Sequence, residues 1–178
     1  MELIPTPLEG CYQVSPFFAQ DERGTFVKTF QAERFLALGL PTEWREEYYS
    51  SSRKGVIRGM HFQTPPHEHE KLVYCIQGLV LDVVVDLRRG SPTYGKHFSV
   101  KLDAARGHGL MIPKGMAHGF LALTEDVLIA YKVTTEYAPE NDAGIRWNSF
   151  GLDWGVDKPF VSVRDRTQPA FADFDSPF

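Results

Sequence analysis

The sequence predicts an all-β protein: a closed double-sheet barrel of the jelly-roll kind, with one or two short helices and an irregular C-terminal tail. Two observations carry this. Most of the chain divides into short β-prone runs separated by Gly, Pro or Asp, and a single stretch has convincing helical character. The length of 178 residues, 43% of them apolar, fits one domain over residues 1–178 with a substantial core.

Residues 11–30 alternate and break at Gly24, which predicts a hairpin turning through Asp21, Glu22, Arg23 and Gly24. Residues 31–38 are the helix; Gly39 stops it and Pro41 prevents its resumption. Residues 46–52 are β-prone and lead into the central stretch, 54–87, around which the chain is organised. There, residues 57–63 and 71–76 read as neighbouring, paired strands flanking a polar, Pro-rich loop, and Gln77-Gly78 turns the chain into 79–87. In that last run Leu79, Leu81, Val83, Val85 and Leu87 share an apolar face, while Val80, Asp82, Val84 and Asp86 share a mixed one. A turn at 88–95 precedes short strands at 97–102, 110–112, 119–123 and 127–133. The tail from Asp153 reads as irregular but keeps Trp154, Phe160 and Phe171, and is expected to pack over the barrel.

The net charge of −4 offers no global basic field for nucleic acid or an anionic membrane surface. Cys11 and Cys75 are too few for a disulfide framework and read as free thiols of a reducing compartment. The N-terminus lacks the pattern of a signal peptide, and 79–87 is interrupted by Asp82 and Asp86, so a cytoplasmic protein is expected. There is no GxGxxG, Walker A or serine-elbow motif.

GHGLMIPKGMAH, ending at His118, matches the second sequence motif of the cupin superfamily, with Pro113 and Gly115 as the turn. In the first cupin motif His67 and His69 have the metal-binding spacing, but Lys71 occupies the position of the glutamate. An ammonium has no lone pair to give a metal ion. Facing a pocket, it would instead stabilise negative charge on a substrate oxygen. His61, on the preceding run, is of the type that removes a proton near neutral pH. Together they supply the minimum for removing a proton α to a carbonyl, although a structural histidine and a surface lysine would read the same way. Tyr131 falls on the face opposite Lys132, where a barrel tyrosine is more often core than catalyst. Asp165 reads as a surface acid unless the tail brings it to His61 as an orienting carboxylate. Arg23, Arg58 and Arg164 are separate charges that, gathered at one mouth, would clamp a diphosphate.

KGVIRGMHFQ, KLVYCIQGLVLDVVVDLRRGSPTYG, IPKGMAHGF, YKVTTEYAP and GIRWNSFGLDW, in that order, resemble the dTDP-4-dehydrorhamnose 3,5-epimerase family, and DERGTFVKTF fits its N-terminal region. The resemblance implies a cupin-type double-stranded β-helix without metal or cofactor. It further implies a homodimer formed through the N-terminal strands and a nucleotide-diphosphate sugar as substrate. It implies catalytic roles for His61 as base, Lys71 at the C4 keto oxygen, Tyr131 as acid and Asp165 as partner of His61. His118 would line the sugar pocket, Arg23 and Arg58 would contact the diphosphate, and Tyr137 and Arg164 the nucleotide end. Gln63, Glu46, Tyr48 and Lys28 would shape the remaining pocket. Glu46 and Tyr48 stand where the family commonly has Gln and Asn, and Lys28 where it has Glu. The reaction so implied is inversion at C3 and C5 of dTDP-4-keto-6-deoxyglucose. The rivals are inversion at one carbon, a CDP- or GDP-sugar, a 3,4-ketoisomerase, a metal-dependent cupin using His67, His69 and His118, and a non-catalytic sugar-binding cupin.

Overall fold

A computed structural model describes all 178 residues, with fourteen strands and two short α-helices. One sheet runs edge to edge as β1 (Glu2–Pro5), β2 (Tyr12–Ser15), β10 (Gly109–Ile112), β7 (Lys71–Gln77), β12 (Val127–Val133) and β5 (Glu46–Ser52). The other runs as β13 (Asp142–Gly144), β6 (Val56–Gln63), β11 (Met116–Ala122), β8 (Leu79–Asp86) and β9 (His97–Asp103), with β14 (Phe160–Val161) parallel to β6. Successive strands of the central stretch alternate between the sheets, which is the jelly-roll wrap of a cupin barrel. β3 (Phe17–Asp21) and β4 (Gly24–Lys28) form a separate hairpin at the predicted turn, whereas residues 12–15, expected within it, are β2 of the first sheet.

One expectation is corrected at once. β6 and β7 are not paired; they lie in different sheets, and Gln77-Gly78 is a corner between sheets rather than a hairpin turn. Gly78 has φ +82°, and a Cβ there would sit 2.6 Å from Thr124 Oγ1, so no other residue fits this corner without displacement.

Three apolar layers hold the fold. Val73, Val80, Val84, Leu110, Phe120 and Ile129 fill the interior between the sheets. Val14, Leu72, Tyr74 and Met111, on the outer face of the first sheet, pack against Phe35. Phe35 is the one buried residue of α1 (Ala32–Ala37), which ends at Gly39 (φ +70°) as the sequence predicts. Ile57, Val83, Val85 and Leu121, on the outer face of the second sheet, lie under Phe150, Trp154 and other tail aromatics. The two faces of β8 therefore serve opposite uses: its purely apolar face is outside under the tail, and the face carrying Asp82 lines the interior. The tail is more regular than predicted, because it contains β14 and α2 (Val163–Thr167). Phe160 does not pack; it is 70% exposed.

Candidate active site

In a regular strand Arg58 and His61, an odd number of positions apart, would face opposite sides of the sheet. β6 carries an extra residue that changes this. On β11, His118 pairs with His61 and Phe120 with Arg58, so two steps along one strand match three along the other. Gly59 absorbs the bulge at φ +133°, and a Cβ on it would lie 2.6 Å from Gly119 Cα. The bulge turns Arg58 and His61 into one inner chamber of about 180 Å³, which Lys71, His118 and Tyr131 also line.

His61 borders two further chambers. One, of about 420 Å³, is shared with Tyr48, Lys71, Tyr137, Asp142 and Arg164. The other, of about 590 Å³, is shared with Arg58, Arg164, Asp165 and Arg166. A sugar-sized inner space thus adjoins two outer spaces edged by arginines.

The tail delivers Asp165 to His61. Ser162 caps α2, its hydroxyl accepting from the Asp165 amide at 3.0 Å, which sets the buried carboxylate at the helix start. His61 Nε2 lies 2.6 Å from Asp165 Oδ1, while Asp165 Oδ2 accepts from the Gly59 amide at 3.3 Å. Burial by itself would raise the Asp165 pKa, but the hydrogen bond and charge of His61, together with Gly59 and Ser162, hold it below the usual carboxylate value. A carboxylate accepts, so Nε2 of His61 carries the hydrogen and Nδ1 keeps the lone pair a base needs.

Lys71 comes from the opposite sheet. Its Nζ donates to the main-chain carbonyl of His61 at 3.0 Å. Burial pulls its pKa down to about 8, a shift that the carboxylates of Asp142 and Asp82 oppose and Arg164 assists. Tyr131 is buried, and desolvation pushes its phenol well up, so it is a proton donor at neutral pH. His118 Nε2 lies 3.0 Å from both oxygens of the fully buried Asp82.

The residues expected to bind substrate divide. Tyr137 and Arg164 border the same outer chamber and both donate to Asp142, at 3.2 and 2.7 Å. Glu46 lines it too and accepts from the Tyr137 amide at 2.8 Å. Tyr48 stacks on Tyr131. Gln63 lines the chamber, but its amide is engaged by the loops: it donates to the His67 and Glu136 carbonyls and accepts from the Ala138 amide. That makes it a fastener of the surrounding loops. Arg23 and Lys28 do not join the site within this chain; they lie on the β3–β4 hairpin, where Arg23 pairs with Asp21 in solvent. The three arginines thus do not meet at one mouth, although Arg58 and Arg164 share a chamber.

No three His, Cys, Asp or Glu side chains gather as a ligand set for a metal ion. His69 instead faces Gln63 and Thr135 through Nδ1, and burial, followed by Lys71 and Lys114, drives its pKa down to about 3. Two members of the site escape sequence reasoning. Asp82 had a signal, an acid within an apolar run, whereas Asp142, the shared acceptor of Tyr137 and Arg164, had none.

A family model described as dTDP-4-dehydrorhamnose 3,5-epimerase matches residues 5–173. The chain is 38% identical over 178 residues to the dTDP-4-dehydrorhamnose 3,5-epimerase of Shigella flexneri, covering 98% of each. It is 35% identical over 169 residues to the dTDP-4-dehydrorhamnose 3-epimerase of Streptomyces niveus, covering 93% of this chain and 82% of that one. The crystal structure of a dTDP-6-deoxy-D-glucose-3,5-epimerase from Legionella pneumophila, in complex with dTDP-4-keto-L-rhamnose, superimposes with a TM-score of 0.92 at 35% identity. That superposition covers 98% of this chain and 94% of the other.

Proposed function

The chain belongs to the dTDP-4-dehydrorhamnose 3,5-epimerase family, and from that premise we propose that it inverts C3 and C5 of a dTDP-linked 4-keto-6-deoxyhexose through an enolate. The observation that carries the mechanism is the meeting of His61, Lys71, His118 and Tyr131 in one inner chamber, with His61 bonded to Asp165. His61 Nδ1 takes the proton from the carbon beside the ketone, and the C–H electron pair moves into the C3–C4 or C4–C5 bond. Negative charge gathers on the C4 oxygen, where the Lys71 ammonium lies within a desolvated site that strengthens the attraction. Tyr131 gives its hydroxyl proton to the same carbon from the opposite face, which leaves a phenolate. Exchange with solvent returns the proton from His61 and recharges Tyr131. Arg58 serves the diphosphate, and Tyr137 and Arg164, which share the outer chamber, serve the nucleotide end.

The family assignment also supports a homodimer formed through the N-terminal strands, in a cytoplasmic setting. Phe17 and Phe26 are more than half exposed on the β3–β4 hairpin, which favours such pairing. Arg23 and Lys28 keep a substrate contact only if the pairing carries the hairpin to a site. Incubation with dTDP-4-keto-6-deoxyglucose in heavy water tests the reading, since deuterium marks each carbon that exchanges. Label at both carbons is expected, and none at either would end it. The Streptomyces relative favours one second reading, inversion at C3 alone, which predicts label at that carbon only.

A further inference from the structure

We propose that Tyr48 is the positioning residue for the Tyr131 hydroxyl, and that through its ring the occupancy of the outer chamber governs proton delivery in the inner one. The role rests on the reading of Tyr131 as the acid.

Tyr48 is the direct partner of Tyr131 across the β5–β12 ladder, so both side chains leave the sheet on the same face. Their rings stack with centroids 4.8 Å apart and planes 20° from parallel. The only hydrogen-bond partner of the Tyr131 hydroxyl is Ser50, at 3.4 Å. That separation is long for a bond between hydroxyls, so it restrains the ring weakly. Elsewhere Tyr131 packs into the interior apolar cluster and makes a T-shaped contact with His118, with ring centroids 6.1 Å apart. Of the two rings paired with the acid, only Tyr48 lies face to face with it, and it thus bears directly on the plane of the phenol. Both restraints from this side, Tyr48 and Ser50, belong to β5, which is the last strand of its sheet.

Tyr48 also stands where the two chambers meet. It lines the outer one with Tyr137 and Arg164, and the inner one with His61, Lys71 and Tyr131. It is 42% exposed, whereas Tyr131 is 8% exposed. A nucleotide end seated in the outer chamber touches Tyr48 and presses it against the acid. Binding energy from the unreactive part of the substrate is then spent on orienting the reactive group. The contact with the acid is ring on ring, so phenylalanine should perform it.

The test uses the full-length parent, Y48F and Y48A with dTDP-4-keto-6-deoxyglucose in heavy water, and measures inverted product formed per deuterium incorporated. His61 removes the proton in all three. In Y48A the misaligned acid delivers less often, and deuterium returns from the His61 side with retention. The expected result is a fall of about tenfold in inversion per exchange for Y48A, the scale of one lost aromatic stack, with Y48F at the parent ratio. A residue that only held the nucleotide would raise KM and leave that ratio unchanged in Y48A, which would overturn the proposal. Exchange itself reports that Y48A is folded. Should exchange be lost, Y48L takes its place under the same criterion. A parent without exchange removes the epimerase reading itself, whereas an active parent with an unaltered Y48A ratio removes only this role.

Discussion

Lys71 Nζ donates to the main-chain carbonyl of His61 over 3.0 Å, from one sheet of the barrel to the other. The bond ties the main chain at His61 to the buried ammonium of the opposite sheet. The ammonium is buried, and its pKa falls to about 8 for that reason.

Activity should therefore fall on the alkaline side as the ammonium loses its proton. A lysine is charged below its pKa, so kcat/KM is expected to decline through about pH 8, well below the 10.5 of an ordinary lysine. A profile flat from pH 7 to 9 would contradict this. Lys71→Ala should cost about a hundredfold to a thousandfold in kcat, the range for loss of one oxyanion donor. The stability effect has its own sign. A lowered lysine pKa means that the folded state resists the charged form, so the destabilisation is full below about pH 8 and fades toward 10.5. Lys71→Met should melt above the parent at pH 7, and the gap should narrow as the pH rises.

Asp165 holds both ends of the β6 bulge, one oxygen on His61 and the other on the Gly59 amide. Asp165→Asn replaces the accept-only carboxylate that fixes the histidine tautomer with an amide that can also donate. A loss of about a hundredfold or more in kcat/KM is expected, with a smaller change in KM. The Asp165 pKa is lowered in the fold, so its contribution to stability is present above the carboxylate's unfolded value and is lost as the pH falls through the folded one. Melting curves from pH 6 down to pH 3 should show a weaker acid dependence in the Asn variant than in the parent.

Tyr131→Phe keeps the ring stacked on Tyr48 and removes only the hydroxyl. Deuterium should still enter the substrate while inverted product falls by about a hundredfold, within the usual range for a general acid. Epimerisation at the parent rate would show that another group supplies the proton.

Gly59→Ala tests the bulge itself. The added Cβ meets Gly119 Cα at 2.6 Å on a backbone with φ +133°. A loss of about 2 kcal/mol or more in stability is expected, since both steric overlap and backbone strain oppose alanine there. Activity should fall further than stability explains, because Arg58 and His61 would no longer share a chamber. Gly24→Ala is the control: its φ is also positive, but nothing lies within 4 Å of the added Cβ. It should cost less and leave the melting curve closer to the parent's.

Much of this was legible in the chain. The hairpin turning at Glu22 and Arg23, the helix stopped by Gly39, and the strands at 46–52 and 127–133 follow from periodicity and turn chemistry, which act over a few residues. The substitution of Lys71 for a metal-binding glutamate was readable as chemistry, because an ammonium has no lone pair to offer. Family motifs by themselves point to His61, Lys71, Tyr131 and Asp165 as catalytic candidates.

What the sequence determined by itself was local: where strands start and stop, which residue types are available for proton transfer, and which cofactor motifs are missing. Only the tertiary structure decided which sheet each strand joined, so that His61 and Lys71 meet across the barrel rather than along one ladder. It also placed the apolar face of β8 outside under the tail, set Asp165 on a helix against His61, and put Arg58 and His61 on one face through a single extra residue at Gly59. Alternation of side chains is a property of one strand, but pairing and bulges depend on partners distant in the chain, and no short window of sequence contains them.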